Sequence, residues 1–247
     1  MSGREFLTAC ELHDPQRLGA ALDAGLPAAA PLDGRLPIVW LLEMYTRSDR
    51  LPACLRVLLD RGATLPDPRL EPVLLNEPAA VTTAAAGDPG YVHHRLSMRS
   101  TFTPLDDATL LHVAAEYGHT AAASALIDAG ADVDARAGLD ADGLGGHTPI
   151  FHTVNSHANR SEAVLRVLLA AGADPAARVA GLVWGRTFEW ESTFFDLTPL
   201  AYAQLGTLPQ MHREARHVDA VVRALLAAAG RVVPEMPNVP NRYLTRS

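Results

Sequence analysis

Residues 107–136 read DATLLHVAAEYGHTAAASALIDAGADVDAR, and this stretch decides the fold. It opens with Thr-Leu-Leu-His-Val-Ala from Thr109, turns at Tyr-Gly-His, continues to a Leu-Ile pair and closes with Gly130-Ala-Asp. A glycine after an apolar run ends a helix because it adopts the left-handed conformation without steric cost. The stretch therefore predicts two short helices joined by a turn.

The same unit recurs along the chain. The later copies are GHTPIFHTV with VLRVLLAAGADPAAR, ending at Arg178, and DLTPLAYAQ with VVRALLAAAGR, ending at Arg231. Upstream, GRLPIVWLL leads to CLRVLLDRGAT, and ACELHDPQRLGAALDAGLP forms a degenerate first copy. Proline suits the first turn of a helix, and the threonine before it, Thr148 or Thr198, is predicted to cap that helix. The turn residue before this point is Gly34, Asp107, Gly146 or Asp196, where a left-handed conformation is expected.

These units resemble the ankyrin repeat, a unit of about 33 residues with a Thr-Pro-Leu-His-x-Ala signature. The resemblance implies an all-α fold, an ankyrin-repeat solenoid of about six helix pairs with a concave groove and extended β-hairpin fingers. We expect one ankyrin-repeat domain over residues 1–231 and a C-terminal tail over 232–247. The units are expected near residues 4–30, 31–66, 67–105, 106–138, 143–178 and 196–231.

Composition narrows the classes of function. The formal net charge is −7, and all 21 basic residues are arginine, a bacterial-like composition typical of GC-rich codon usage. No basic block interrupts the acidic balance, so we expect no nucleic-acid partner. Two cysteines and the absence of a His-x-x-x-His pair in a predicted helix favour no metal and no cofactor. No apolar run reaches about 18 residues and no signal peptide is recognisable, so we expect a cytoplasmic protein without membrane contact.

The surplus length is concentrated in insertions. Residues 88–104 (DPGYVHHRLSMRSTFTP) and 179–196 (VAGLVWGRTFEWESTFFD) each separate two units. The second is rich in aromatic and β-branched residues and predicts a β-hairpin; the first fits the same pattern more weakly. In an ankyrin protein these connections are the fingers beside the groove. Shorter insertions at 155–161 and 206–217 lengthen loops within units.

The resemblance also implies which residues face the groove. Ankyrin proteins bind partners with the residue after the signature histidine, with residues one helical turn later, and with their fingers. On this chain the binding candidates are Trp40, Glu116, Tyr117, His152, Asn155, Trp184, Arg186, Trp190 and Tyr202. Trp40 has an alternative role, packing against a neighbouring repeat.

Three functions remain open at this point, the last of them a purely structural adaptor that would use short fingers for self-association. The favoured one is a binding module that recognises a protein or peptide through the groove and the fingers, since no catalytic motif is present. The alternative is an enzyme or small-molecule-binding protein with a pocket between the fingers and the groove. Its acid/base chemistry (isomerisation, cyclisation or elimination) would fall to Glu189, Glu191, His152, Tyr202 and His212.

Overall fold

The computed structural model describes residues 3–208, 211 and 213–234. The helices of the first half are α1 (Gly3–Glu11), α2 (Pro15–Asp23), α3 (Pro37–Glu43), α4 (Leu51–Leu59), α5 (Glu71–Leu74) and α6 (Pro78–Gly87). Those of the second half are α7 (Leu110–Tyr117), α8 (Thr120–Asp128), α9 (Phe151–Val154), α10 (Glu162–Ala170), α11 (Pro199–Leu205) and α12 (Ala215–Ala228). The strands are β1 (Arg95–Met98), β2 (Leu105–Thr109), β3 (Val179–Trp184) and β4 (Ser192–Leu197).

The helices pack as pairs in chain order. Each odd-numbered helix contacts the even-numbered helix that follows it, and the second helices of neighbouring pairs contact one another from α6 through α8 and α10 to α12. The core between them is made largely of leucine, valine and alanine, including the fully buried Leu55, Leu111 and Leu165. Small side chains allow the close helix packing that this arrangement requires.

Backbone geometry confirms the predicted turn positions. The φ angle is positive at Gly34 (79°), Asp107 (44°), Gly146 (65°) and Asp196 (57°). Thr198 caps α11, because its hydroxyl accepts a 3.2 Å hydrogen bond from the Ala201 N–H. The same role predicted for Thr148 is wrong: α9 begins only at Phe151, and the buried Thr148 hydroxyl has no hydrogen-bond partner in the described part of the chain.

The expected all-α ankyrin solenoid is wrong as a description of the whole fold. The structure is 48% helical with 11% strand, and the strands form two small antiparallel sheets. The helix pairs are also unequal, since α5 and α9 have four residues each. The physical reason is local: the insertions carry enough β-branched and aromatic residues to build hydrogen-bonded ladders of their own.

The two sheets are hairpins with different connections. Strand β1 pairs with β2 from Arg95↔Thr109 to Met98↔Leu105, and residues 99–104 connect them. Strand β3 pairs with β4 from Val179↔Leu197 to Trp184↔Ser192, and residues 185–191 connect them. On its other side β3 meets the loop at residues 139–145, where the Gly145 N–H donates to the Gly181 carbonyl at 2.9 Å.

Some predicted regions fall partly outside the described residues. The tail at 232–247 is described only to residue 234, and the insertion at 206–217 lacks residues 209, 210 and 212. The candidate His212 therefore lies outside the described residues. Of the helices in the described ranges, none combines the length and apolar character needed to cross a bilayer.

Two glycines provide a test of the helix boundaries. Gly118 ends α7 with φ 71°, whereas Gly19 lies inside α2 with open space around it. We expect Gly118→Ala to lower the free energy of unfolding by about 1–2 kcal/mol, because alanine is strained in the left-handed region. Gly19→Ala is the matched control and should raise it by about 0.5–1 kcal/mol, since alanine restricts the unfolded chain and favours helix. Urea denaturation measures both, and two changes of the same sign would contradict these helix ends.

Candidate functional site

Glu116 on α7 carries a buried carboxylate, on the side of the helices where the sequence predicted a groove. The residue is 6% exposed, yet it accepts hydrogen bonds from three different parts of the chain. Arg47 donates to Oε1 at 3.0 Å, the Ser100 hydroxyl donates to the same oxygen at 3.1 Å, and His152 Nδ1 contacts Oε2 at 2.9 Å. These donors replace the water that an ionised carboxylate loses on burial.

A chain of imidazoles continues from this carboxylate. His152 Nε2 lies 3.2 Å from His147 Nε2, which also contacts the Pro104 carbonyl at 3.0 Å. His112 Nε2 contacts the His147 carbonyl at 3.1 Å, and its Nδ1 accepts from the Thr109 N–H at 3.1 Å. These partners assign the proton to Nε2 in His112 and to Nδ1 in His152. Among the described residues, no cluster of three or more His, Cys, Asp or Glu is arranged to hold a metal.

Burial and charge set the protonation of this group. Burial alone raises the pKa of the Glu116 carboxyl, but the hydrogen bonds and charges of His152 and Arg47 outweigh it, so the pKa lies below its usual value. Burial lowers the pKa of His112 to about 3, and it lowers the pKa of His147 well below the usual value. Both of these imidazoles are therefore neutral near pH 7 beside an ionised Glu116.

Arg47 joins the carboxylate to the aromatic side chains of the groove. It follows α3, and its guanidinium lies 4.6 Å from the centre of the Tyr117 ring and 5.8 Å from that of Phe102. The Tyr117 hydroxyl donates to the Leu42 carbonyl at 2.8 Å. Two contacts therefore connect α7 to α3 and the loop that follows it: the ion pair of Glu116 with Arg47 and the hydrogen bond of Tyr117 with Leu42. The cation–π attraction between Arg47 and Tyr117 adds to them.

Residues 99–104, the connection between β1 and β2, cover the side of the helices where the sequence predicted an open groove, and we call them the groove segment. Besides Ser100 at Glu116, the Thr101 hydroxyl donates to the Glu43 carbonyl at 2.9 Å, and the Thr103 hydroxyl lies 3.0 Å from the Tyr202 hydroxyl. These three hydroxyl residues are buried. Glu116, Tyr117, His152 and Tyr202, expected as open contact residues, are consequently shielded from solvent.

The turn of the second hairpin lies next to the groove segment. Trp184 is 5% exposed and stacks on Phe102 with ring centres 6.1 Å apart, and the Gly185 N–H donates to the Phe102 carbonyl at 3.2 Å. Trp190 is 40% exposed and lies over Gly185, where a Cβ would come within 2.7 Å of the indole. Only glycine fits under that ring, and its φ of 67° makes the turn.

The remaining candidates have individual roles. The Trp40 indole donates to the Leu32 carbonyl at 2.9 Å, which places it against the turn at the start of its own unit. Asn155 donates to the Tyr202 carbonyl at 2.6 Å and so links α9 to α11. Arg186 reaches Asp140 at 2.9 Å and Asp106 at 3.2 Å, joining the second hairpin to β2 and to the adjoining loop.

The acid/base candidates are not gathered in one pocket. Glu189 and Glu191 are exposed in the turn of the second hairpin, and Glu191 accepts from the Thr187 N–H at 2.7 Å. Both ring nitrogens of His152 are engaged elsewhere, and burial raises the pKa of the Tyr202 phenol far above its usual value.

A cleft of about 290 Å³ lies between the two insertions. Its walls are residues 97–100, residues 104–106, and the pair Arg186 and Thr187. The guanidinium of Arg99 bridges it, donating to the Thr187 hydroxyl at 2.6 Å. None of the acid/base candidates that the structure describes lines this cleft.

Sequence reasoning did not find Arg47, His147, Ser100 and Thr103. Arg47 and Glu116 are 69 residues apart, and Thr103 and Tyr202 are 99 apart. Repeat periodicity relates equivalent positions in neighbouring units and carries no signal for such pairs. The one available signal was His147, which lies between the Gly145-Gly146 pair and the Thr148-Pro149 turn.

Neutralising the central carboxylate tests its role. We expect Glu116→Gln to lower the free energy of unfolding by about 3–5 kcal/mol, because Arg47 then loses its buried counter-ion. Glu189→Gln, at an exposed position on the second hairpin, is the control and should change it by less than about 0.5 kcal/mol. Denaturant unfolding followed by circular dichroism supplies both values, and equal stability of the two variants would refute the assignment.

The buried imidazoles predict a loss of stability in mild acid. Burial lowers the pKa values of His112 and His147 in the native state, so below about pH 6.5 the unfolded chain binds protons that the native state excludes. The stability that His112 contributes is complete above about pH 6.5 and is lost as the pH falls toward 3. Each such group adds a slope of at most about 1.4 kcal/mol per pH unit.

Unfolding free energies at about pH 7.5, 6 and 5 measure this slope. The wild type should be most stable at the highest of these values, and His112→Gln should flatten the dependence while lowering stability at neutral pH. A wild-type free energy that stays constant across the three pH values would contradict the prediction.

Comparison with known families places the centre of this site in a recognisable unit. Residues 106–137 match the family model of the ankyrin repeat. This range includes α7 and α8 and carries His112, Glu116 and Tyr117. No curated protein matches the chain. The chain therefore has ankyrin-repeat character in one unit, residues 106–137.

Proposed function

We propose that this chain is a protein-binding module that recognises a protein or peptide on the side formed by its groove and its two hairpins. The ankyrin repeat at residues 106–137 supports a protein-interaction role at a coarse level. We assign the contact surface to exposed side chains of the hairpins, because the deeper groove residues are already covered by the groove segment.

The observation that carries the proposal is the exposure of large apolar side chains around the second hairpin. Phe195 on β4 is 69% exposed and Trp190 is 40% exposed. Leu139, in the loop that lies against β3, is 67% exposed. Aromatic side chains held on a rigid hairpin are the residues that most often dominate binding energy at protein interfaces.

The second hairpin also offers a backbone edge. Strand β3 lies between β4 and the loop at 139–145, so no strand of the described residues pairs with the outer edge of β4. An extended segment of a partner can add to such an edge through main-chain hydrogen bonds. Phe195 then lies where a side chain of that added strand would contact it.

Binding is favoured over the acid/base alternative. Glu189 and Glu191 are exposed, and His152 has both nitrogens engaged. General acid/base catalysis requires a titratable group within hydrogen-bond reach of a substrate, and the one carboxylate that the described residues place on the walls of the cleft, Asp106, lies 3.2 Å from the Arg186 guanidinium.

Affinity capture from native lysate, with quantitative mass spectrometry, tests the surface. We expect a double variant, Trp190→Ala with Phe195→Ala, to retain at least about tenfold less of the proteins captured by wild type, since hot-spot residues each exceed about 1.4 kcal/mol. The matched control is Leu12→Ala, which removes an exposed apolar side chain from the turn between α1 and α2. Capture that is unchanged in the double variant, or no captured protein at all, would refute the proposal.

A further inference from the structure

The groove segment is placed like a bound peptide. Its residues contact groups from well-separated parts of the chain, because Ser100 reaches α7, Thr101 reaches α3 and Thr103 reaches α11. Most of the contacts are made by side chains, and the backbone contact at Phe102 is to Gly185 of the second hairpin. Groups from α3 to α11 thus surround six consecutive residues, which bend at positions 101–103.

The connection is longer than the hairpin needs. β1 and β2 pair up to Met98↔Leu105, which leaves six residues between the last paired positions. Hairpin connections commonly have two to five residues. The length and the hydroxyl-rich composition of residues 99–104 are explained by what they contact across the groove, not by closing the turn.

The contacts define a chemical pattern. The Arg99 guanidinium lies 3.6 Å from the Glu43 carboxylate, which selects a basic residue at that position. Two positions later along the same side, Thr101 places its hydroxyl on a carbonyl acceptor. Phe102 lies between the Trp184 ring and the Arg47 guanidinium, an arrangement that favours an aromatic ring. Thr103 places a hydroxyl against the Tyr202 phenol.

We propose that residues 99–104 are an internal occupant of a peptide-binding groove, and that a partner presents a short bent segment of the same chemistry. That segment carries a basic residue, two hydroxyl residues, an aromatic residue and a third hydroxyl residue in succession. It binds by displacing residues 99–104, so the free protein holds its own groove closed. This inference rests on the proposed binding function and adds to it the chemical class of the ligand and the regulation of access.

The first experiment asks whether the segment leaves the groove while the fold persists. Thr101→Cys places a near-isosteric thiol at a position that is 2% exposed, and Cys10 and Cys54, both buried between helices, are internal controls for global unfolding. We expect the new thiol to be labelled at least about tenfold faster than Cys10 and Cys54 in native buffer, with a weaker dependence on denaturant. Equal labelling rates for all three thiols would overturn the proposal, because the segment would then open only on global unfolding.

The second experiment adds the groove segment as part of a separate peptide. Residues 100–103 are replaced by Gly-Ser-Gly-Ser, and the fluorescently labelled peptide MRSTFTPL, residues 98–105 of this chain, is titrated against the variant and against wild type. We expect the variant to bind at least about tenfold more tightly, because in wild type the groove is open only in a minor population. A peptide with alanine at the phenylalanine position is the control and should bind at least about tenfold more weakly than MRSTFTPL.

A folded replacement variant that does not bind the peptide overturns the inference, and so does one that binds no better than wild type. A replacement variant that no longer folds also counts against it, since an occupant can leave the groove and a core segment cannot. These outcomes are separate from the proposed function, which depends on Trp190 and Phe195 and is measured by capture of a whole protein.

Discussion

The ionised carboxylate of Glu116, buried on α7, is the constraint on which the rest of the groove depends. A charge of this kind is tolerated in an interior only if donors surround it, and here they come from the loop after α3, from the groove segment and from α9. Three regions that are distant in sequence must therefore meet at one point. The positions of Arg47, Ser100 and His152 follow from that requirement.

The histidines extend the same requirement outward. Because Glu116 accepts a proton-bearing Nδ1 from His152, the other nitrogen of that ring is left as an acceptor and faces His147. His147 in turn contacts the Pro104 carbonyl, at the end of the groove segment. A single charge thus orders a row of imidazoles that runs to Pro104, where the first hairpin returns to the helices. The dielectric constant around these buried rings is low, so a proton on the wrong ring nitrogen destabilises the folded state.

The sequence predicted what is local and missed what is distant. Steric rules that act within a few residues explain the helix pair at residues 106–137, the left-handed turn residues Asp107 and Asp196, and the glycines that end helices. The all-α class was wrong because each of the two long insertions forms a hydrogen-bonded strand pair beside the helices. The covering of the groove was not predictable, since a run of Arg, Ser and Thr is typical of an exposed loop and its partners lie 16 to 99 residues away.

The reach of the groove segment has a consequence for how the protein folds. Helix pairs that contact only their neighbours can form and fray independently, from either end, with low contact order. Thr101 contacts α3 across a sequence separation of 58 residues, and Thr103 contacts α11 across a separation of 99 residues. Contacts between residues this far apart in sequence form late and slowly during folding. Once formed, they couple the helix pairs that they connect. While the groove segment is seated, the helix pairs from α3 to α11 therefore unfold together, and once it has left they can open separately.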